Sequence, residues 1–96
     1  MKLISFRPSP RKHKKFEVIV QDGDTFHTIH FGDDRYEDYT QSHDKQRREL
    51  YLARHKSREN WSDPTTAGFW ARHVLWGDSI NLATNLAAAK RLMQRL

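Results

Sequence analysis

The fold is decided by one continuous stretch of the chain, Phe16-Glu17-Val18-Ile19-Val20-Gln21-Asp22-Gly23-Asp24-Thr25-Phe26-His27-Thr28-Ile29-His30-Phe31. Apolar and polar residues alternate on both sides of Asp22-Gly23, which is the pattern of two antiparallel strands joined by a tight turn. Asp and Gly at the two central positions tolerate the positive φ of a type I′ turn. The sequence therefore predicts a β-hairpin over residues 16–31.

The position of the turn also predicts the register of this hairpin, with Val20 opposite Thr25, Val18 opposite His27 and Phe16 opposite Ile29. Because side chains alternate across a strand, one face is the core face and carries Phe16, Val18, Val20, His27, Ile29 and Phe31. His27 and His30 point to opposite faces and cannot chelate a metal ion together. His27 is therefore interpreted as a hydrogen-bonded core histidine.

The segment before the hairpin is basic. Residues 2–6 predict a weaker third strand, and residues 7–15, with two prolines and a run of bases, predict an extended loop. The segment after the hairpin, residues 33–42, has no periodicity and is predicted to be a loop.

Three helices are predicted downstream. Residues 43–59 contain neither Gly nor Pro, and Asp63-Pro64 is a good start for a second helix, which runs through residues 65–76 and stops at Gly77. Asp78 or Ser79 caps a last helix from Ile80, whose apolar stripe is Leu82, Leu86, Ala89, Met93 and Leu96. The expected fold is one α+β domain over residues 1–96: a basic strand and loop (1–15), the hairpin (16–31) and a helical part (43–96).

Composition excludes several classes of protein. The 96 residues contain three Trp, three Tyr and five Phe, a supply of large side chains that argues against disorder. The absence of cysteine excludes disulfide frameworks, thiolate zinc sites and cysteine nucleophiles. Arg7 and Pro8 interrupt the N-terminal apolar residues before a signal peptide forms, and no apolar run is long enough to span a membrane. We expect a protein that is not secreted and has no membrane partner.

Charge points to an anionic partner. Seventeen Lys and Arg against twelve Asp and Glu give a net charge of +5, which favours nucleic acid or an acidic protein surface. The charges form blocks, basic in residues 1–15, acidic in 22–44 and basic again in 45–58. These blocks can attract one another within the fold, so part of the basic charge is expected to be neutralised internally.

Two basic segments are the candidate anion-binding sites. The first is a helical stripe in which arginines alternate with an aromatic residue: Arg47, Tyr51, Arg54 and Arg58. The second is the N-terminal loop with Arg11, Lys12, Lys14 and Lys15. Arginine binds phosphate bidentately, and an interleaved tyrosine stacks on bases. The alternative is that the arginines anchor the acidic loop over residues 33–38 and the lysines are a solvated charge run.

Metal and catalytic sites are less favoured by the sequence. His55 and Glu59 are spaced i, i+4 on a helix, but two ligands do not hold a metal ion, so a salt bridge is the preferred interpretation. The acids Asp33, Asp34, Glu37 and Asp38 could bind magnesium as nucleases do, although loop acids are more often solvated or paired with arginine. No nucleophile elbow, phosphate loop or HExxH motif occurs. We therefore predict no catalytic residue, metal or cofactor.

A spaced set of residues between His30 and Trp76 resembles a family of small uncharacterised proteins encoded by large DNA viruses of protists and algae and found in some phage-like genomes. The residues that carry the resemblance are His30-Phe31-Gly32, Asp38-Tyr39-Thr40, Arg47-Arg48, Tyr51, Arg54-His55, Arg58-Glu59, Trp61, Asp63-Pro64, Thr66-Ala67-Gly68, Arg72 and Leu75-Trp76. The sequence departs from the family pattern at Ser42-His43 and at Ala71. The resemblance implies a viral setting, a shared fold and no known activity.

These observations lead to one expectation and two alternatives. We expect a non-enzymatic basic module that contacts nucleic acid or an acidic virion protein surface, in the virion or in the cytoplasm or nucleus of the infected host. One alternative is a structural or minor capsid protein, or an assembly protein, without nucleic-acid contact. The other is a small metal-dependent nuclease built on the acidic loop and the histidines.

Overall fold

A computed structural model describes every residue from Met1 to Leu96. Three strands, β1 (Lys2–Pro8), β2 (Lys14–Asp22) and β3 (Thr25–Asp33), form one antiparallel sheet in the order β1-β2-β3. The helices that follow are α1 (Tyr39–Ser42), α2 (Lys45–His55), α3 (Ala67–Trp70), which continues as a π-helical turn over Ala71–Leu75, and α4 (Leu82–Arg95). The predicted α+β class, with three strands before the helices, is confirmed.

The hairpin forms, but its predicted register is wrong by two residues. Asp22 pairs with Thr25 and Val20 pairs with His27. The turn residues are therefore Gly23 and Asp24, and only Gly23 has a positive φ, of 60°, which fits a type II′ turn rather than type I′. Because the shift is an even number of residues, every side chain keeps its predicted face of the sheet.

The new register also changes the environment of His27. It lies opposite Val20, not Val18, and is half-buried. Its ring makes no hydrogen bond within the protein, so the prediction of a hydrogen-bonded core histidine is wrong. Position on the core face is not sufficient for burial here, because His27 lies three residues after Asp24, near the turn that closes the hairpin.

The core lies between one face of the sheet and the helices α3 and α4 with the π-helical turn. The buried apolar side chains are Val18, Val20, Ile29, Phe31, Phe69, Trp70, Val74, Leu75, Ala89 and Met93. The indole Nε1 of Trp70 donates a hydrogen bond of 2.7 Å to the carbonyl of Pro64, so the largest core side chain leaves no unpaired donor. No helix has the length and apolar character needed to cross a membrane.

The segment predicted as a loop over residues 33–42 contains α1. Asp38 caps this short helix by accepting from the Thr40 backbone N–H, and the Gln41 side chain accepts from the Asp38 backbone N–H. His43 then adopts a left-handed conformation with φ of 57°, which separates α1 from α2. As a result α2 begins at Lys45, capped by Asp44, and not at His43.

The predicted helix ends also differ from the observed ones. The first long helix stops at His55 and not at Glu59. Asp63 is not a helix cap, because its carboxylate accepts from Thr65 within a turn, and Thr66 caps α3 instead. Asn81 caps α4, whose predicted inward stripe is present except for Leu96, which is exposed.

We expect Gly23→Val to lower the free energy of unfolding by about 1–2 kcal/mol, because a β-branched residue resists the left-handed φ that this turn requires. A Cβ at Gly23 would meet no atom within 4 Å, so the loss would be conformational rather than steric. Gly23→Asn is the matched control, since Asn tolerates this conformation. Chemical denaturation should rank the variants wild type, Asn, Val; equal stability of the two variants would contradict the turn assignment.

Candidate functional site

A cleft of about 550 Å³ lies between the end of the sheet and α2. Residues from β2, β3, the loop after β3 and α2 form its walls, and α3 and the π-helical turn also line it. This volume falls within the range of small-molecule and cofactor sites, roughly 300–1,000 Å³. The cleft is therefore large enough to receive a group the size of a nucleotide or a short peptide segment.

The cleft brings together parts of both predicted basic segments. Lys14 and Lys15 line it from β2, and Arg47, Tyr51 and Arg54 line it from α2. These two groups are separated by more than thirty positions in the sequence. The fold thus joins in one concave surface residues that the sequence presents as two independent candidates.

The other three predicted site residues lie outside the cleft. Arg11 and Lys12 are exposed on the loop between β1 and β2. Arg58 lies beyond the end of α2, where its guanidinium donates two hydrogen bonds, of 3.1 and 2.9 Å, to the carbonyl of Arg54. Arg58 therefore caps the C-terminal end of α2 and is not part of the stripe that faces the cleft.

Lys15 is engaged inside the protein. Its Nζ lies 2.6 Å from Asp38 Oδ2 and 2.6 Å from Gln41 Oε1, and the side chains of Lys15 and Asp38 are only 9% and 4% exposed. Gly32, opposite Lys15 on β3, leaves room for the lysine stem, because a Cβ there would lie 3.2 Å from the Lys15 Cβ. Here the basic and acidic blocks neutralise each other, as the charge pattern predicts.

Three cations of the cleft remain without an ion pair. Lys14, Arg47 and Arg54 are all exposed, and none of them lies within salt-bridge distance of a carboxylate. Arg47 makes one long hydrogen bond, 3.4 Å, to the backbone carbonyl of Glu37. The arginines therefore do not hold the acidic loop through its carboxylates.

Most of the acids that line the cleft are already paired. Arg35 binds both oxygens of Asp33 at 2.9 and 2.8 Å, and these bonds hold the pKa of Asp33 well below its usual range. Glu59 accepts from Trp61 Nε1 at 3.1 Å and lies 3.4 Å from His55 Nδ1. With Asp38 bound to Lys15, Glu37 is the one lining carboxylate whose side chain has no salt-bridge or hydrogen-bond partner, against three unpaired cations.

Tyr51 forms part of a stacked wall. Its ring lies 4.1 Å from the ring of His55 and 4.3 Å from that of Trp76, the latter nearly parallel at 5°. Burial, with a smaller contribution from the nearby Glu59 carboxylate, raises the pKa of the Tyr51 hydroxyl above its usual range. Tyr51 is therefore neutral and held between two rings, so neither face of its ring is free to stack on a ligand.

Hydrogen bonds of its backbone hold Trp76 in place. The π-helical turn closes with a hydrogen bond of 3.0 Å from the Trp76 backbone N–H to the carbonyl of Ala71. The Trp76 carbonyl accepts from Arg72 at 2.9 Å and from Arg48 at 3.2 Å. Arg72 also lies over the ring of Trp61, 5.3 Å from its centroid, and burial lowers the pKa of its guanidinium.

Tyr36 and Leu50 supply exposed apolar surface in the cleft. Tyr36 is 66% exposed and Leu50 is 47% exposed, and both line the cleft. Sequence reasoning did not identify Tyr36, because it lies in a stretch without periodicity. An aromatic residue flanked by Arg35 and Glu37 in a polar loop is the signal that could have found it.

The histidines and acids do not gather into a metal centre. No group of three or more His, Asp or Glu side chains is placed to hold a metal ion. His55 and Glu59 form the i, i+4 pair predicted from their spacing. In the acidic loop Asp34 lies 3.2 Å from His13 Nδ1, so its acids are mainly engaged with neighbouring bases.

Residues 4–55 match the model of a family described as a family of unknown function (DUF5754). The matched segment begins within β1 and ends with α2, and so includes Lys14, Arg47 and Arg54. It overlaps the residues of the viral resemblance from His30 to His55. No curated protein and no solved structure matches the chain.

Neighbouring lysines of β2 should differ sharply in their effect on stability. We expect Lys15→Gln to lower the free energy of unfolding by about 3 kcal/mol, because it leaves the buried Asp38 carboxylate without its cation. Lys14→Gln, which breaks no ion pair, should change it by no more than about 0.5 kcal/mol. Urea denaturation followed by tryptophan fluorescence measures both, and equal effects would contradict the structural role of Lys15.

Proposed function

Because the chain belongs to the family of unknown function DUF5754, its function is inferred from its own surface, and we propose that it is a non-enzymatic basic module that binds nucleic acid through the cleft. One observation carries the proposal: Lys14, Arg47 and Arg54 line a single cleft without carboxylate partners, beside the exposed ring of Tyr36. Unpaired cations next to an exposed aromatic ring are the combination that nucleic-acid grooves use.

The chemistry of the three cations supports phosphate as their ligand. A guanidinium offers a planar fork of donors that matches two phosphate oxygens, and an ammonium binds phosphate as a point charge. Since the three groups make no ion pair, phosphate binding would not have to break one. The net charge of +5 attracts polyanions over a longer range.

Arg11 and Lys12 extend this surface beyond the cleft. Both are exposed on the loop that leads directly into β2 and Lys14. Ser9 Oγ accepts from the Arg11 backbone N–H at 3.1 Å, and the loop closes through a hydrogen bond from Lys14 N to the Arg11 carbonyl at 3.2 Å. The loop is therefore structured and can present its cations to phosphates that leave the cleft.

The proposal predicts a site-specific loss of binding when the three cleft cations are removed. Lys14→Gln, Arg47→Gln and Arg54→Gln combined should weaken binding to a labelled oligonucleotide and reduce the slope of log K against log salt by about 2–3, one counterion or slightly fewer per lost phosphate contact. The melting temperature should stay within a few degrees of the wild type, because these side chains make no ion pair.

The matched control removes the same charge elsewhere. Lys90, Arg91 and Arg95 are exposed on α4 and do not line the cleft, so their combined change to Gln should leave the salt slope nearly unchanged. An equal loss in both triple variants would contradict the assignment to the cleft. Cleavage of the oligonucleotide in the presence of magnesium or manganese would contradict the non-enzymatic part of the proposal. Binding to an acidic protein but not to nucleic acid would contradict nucleic acid as the partner and assign an acidic protein surface instead.

We further propose that the protein acts in a large DNA virus, in the virion or in the cytoplasm or nucleus of the infected cell. The support is the resemblance of residues 30–76 to proteins of such viruses. Mass spectrometry of purified virions and of fractionated infected cells is the direct measurement. We expect peptides of this chain in one of those fractions, and recovery from the culture medium free of virions would contradict the assignment.

A further inference from the structure

We propose that the cleft receives an unpaired nucleotide, so that the preferred ligand is single-stranded rather than duplex nucleic acid; this inference rests on the nucleic-acid-binding function proposed above. The argument combines the shape of the cleft, the exposed side chains in it and the separation of its charges.

Shape is the first observation. Duplex DNA is read by an element that projects from the protein into a groove, but here Arg47 and Arg54 of α2 line a concavity of about 550 Å³. A base stacked within a duplex cannot enter such a cleft without leaving the helix, which costs unstacking and unpairing energy. A base in a single strand enters it without that penalty.

The second observation is the exposed ring of Tyr36. Its side chain is 66% exposed, yet its backbone is fixed: the Tyr36 N–H donates to the Asp33 carbonyl at 3.2 Å, and the preceding Arg35 is locked to Asp33. A large side chain on a fixed backbone loses little entropy when it stacks on a base. Leu50, 47% exposed on α2, adds a second apolar surface within the same cleft.

The third observation is the unpaired carboxylate of Glu37 beside the three unpaired cations. A duplex would bring its phosphates close to this carboxylate as well as to the cations, and the phosphate–carboxylate contact is repulsive. An unpaired nucleotide separates its groups, with phosphate at the cations and the amino group of an exposed base edge able to donate to a carboxylate. The mixed charge of the cleft therefore suits a nucleotide better than a continuous phosphate backbone.

Fluorescence anisotropy with a labelled 12-nucleotide strand, as DNA and as RNA, and with the duplex of the same sequence at the same salt concentration tests the inference. We expect the single strand to bind at least about tenfold more tightly than the duplex. Tyr36→Leu should weaken single-strand binding by about five- to a hundredfold, the range that loss of one base–aromatic stack produces, and should weaken duplex binding much less. Tyr36→Phe should retain the wild-type affinity.

Phe26→Leu is the matched control, since Phe26 is an exposed aromatic residue at 59% but does not line the cleft. Duplex binding as tight as single-strand binding, or Tyr36→Leu with the affinity of Phe26→Leu, would overturn the inference. If both ligands bind equally and both depend on Lys14, Arg47 and Arg54, the proposed function stands and this inference fails. If neither ligand binds, both fail.

Discussion

The ion pair between Lys15 and Asp38 is the interaction on which the arrangement of the cleft depends. It joins the beginning of the central strand β2 to the residue that caps α1, with the two charged atoms 2.6 Å apart. Only two residues separate the end of α1 from the start of α2, so the position of α2 follows from that of α1. Since β2, β3 and α2 form the walls of the cleft, this buried contact fixes where the α2 wall begins relative to the sheet.

Burying this pair is favourable only when both oxygens of the carboxylate have hydrogen-bond partners. Besides Lys15, Asp38 accepts hydrogen bonds from the backbone and the hydroxyl of Thr40, and its own N–H is bound by Gln41. Desolvation of an ion pair is unfavourable unless such additional bonds are present. A loop rich in carboxylates can lie next to the cleft because all of its acids except Glu37 have partners: Asp38 contacts Lys15, Asp33 contacts Arg35 and Asp34 contacts His13. The arginines of α2 are therefore left without a carboxylate partner.

The sequence predicted the core face of the hairpin more reliably than its turn. Asp22-Gly23 and Gly23-Asp24 are both favourable turn dipeptides, so local chemistry does not choose between them, and the pairing of both strands along their length decides. The alternation of inward and outward side chains along β2 and β3 is the same for either turn. The predicted core face is therefore correct although the predicted turn is wrong. Helix ends were less predictable, because a single capping residue such as Thr66 gives a weaker sequence signal than Asp63-Pro64, which resembles a helix start but forms a turn.

The basic segments could be predicted as candidates, but their meeting could not. Lys14 and Lys15 look alike in a run of bases; alternation along β2 and the Gly32 opposite Lys15 make one of them structural and leave the other free. Tyr36 was missed because periodicity is the main sequence signal and the loop has none. Long-range proximity, which no local pattern contains, creates this part of the site.

Helix α2 contributes no fully buried residue to the fold, although it carries Arg47 and Arg54, two of the three unpaired cations of the cleft. It is attached through the stack of Tyr51 on Trp76 and through hydrogen bonds from Arg48 to the carbonyls of Trp76 and Gly77. A segment with so little buried apolar surface opens locally at a lower free energy than the core it rests on. One wall of the cleft is therefore expected to open before the core does, so a ligand that contacts both walls would also hold α2 against the rest of the protein.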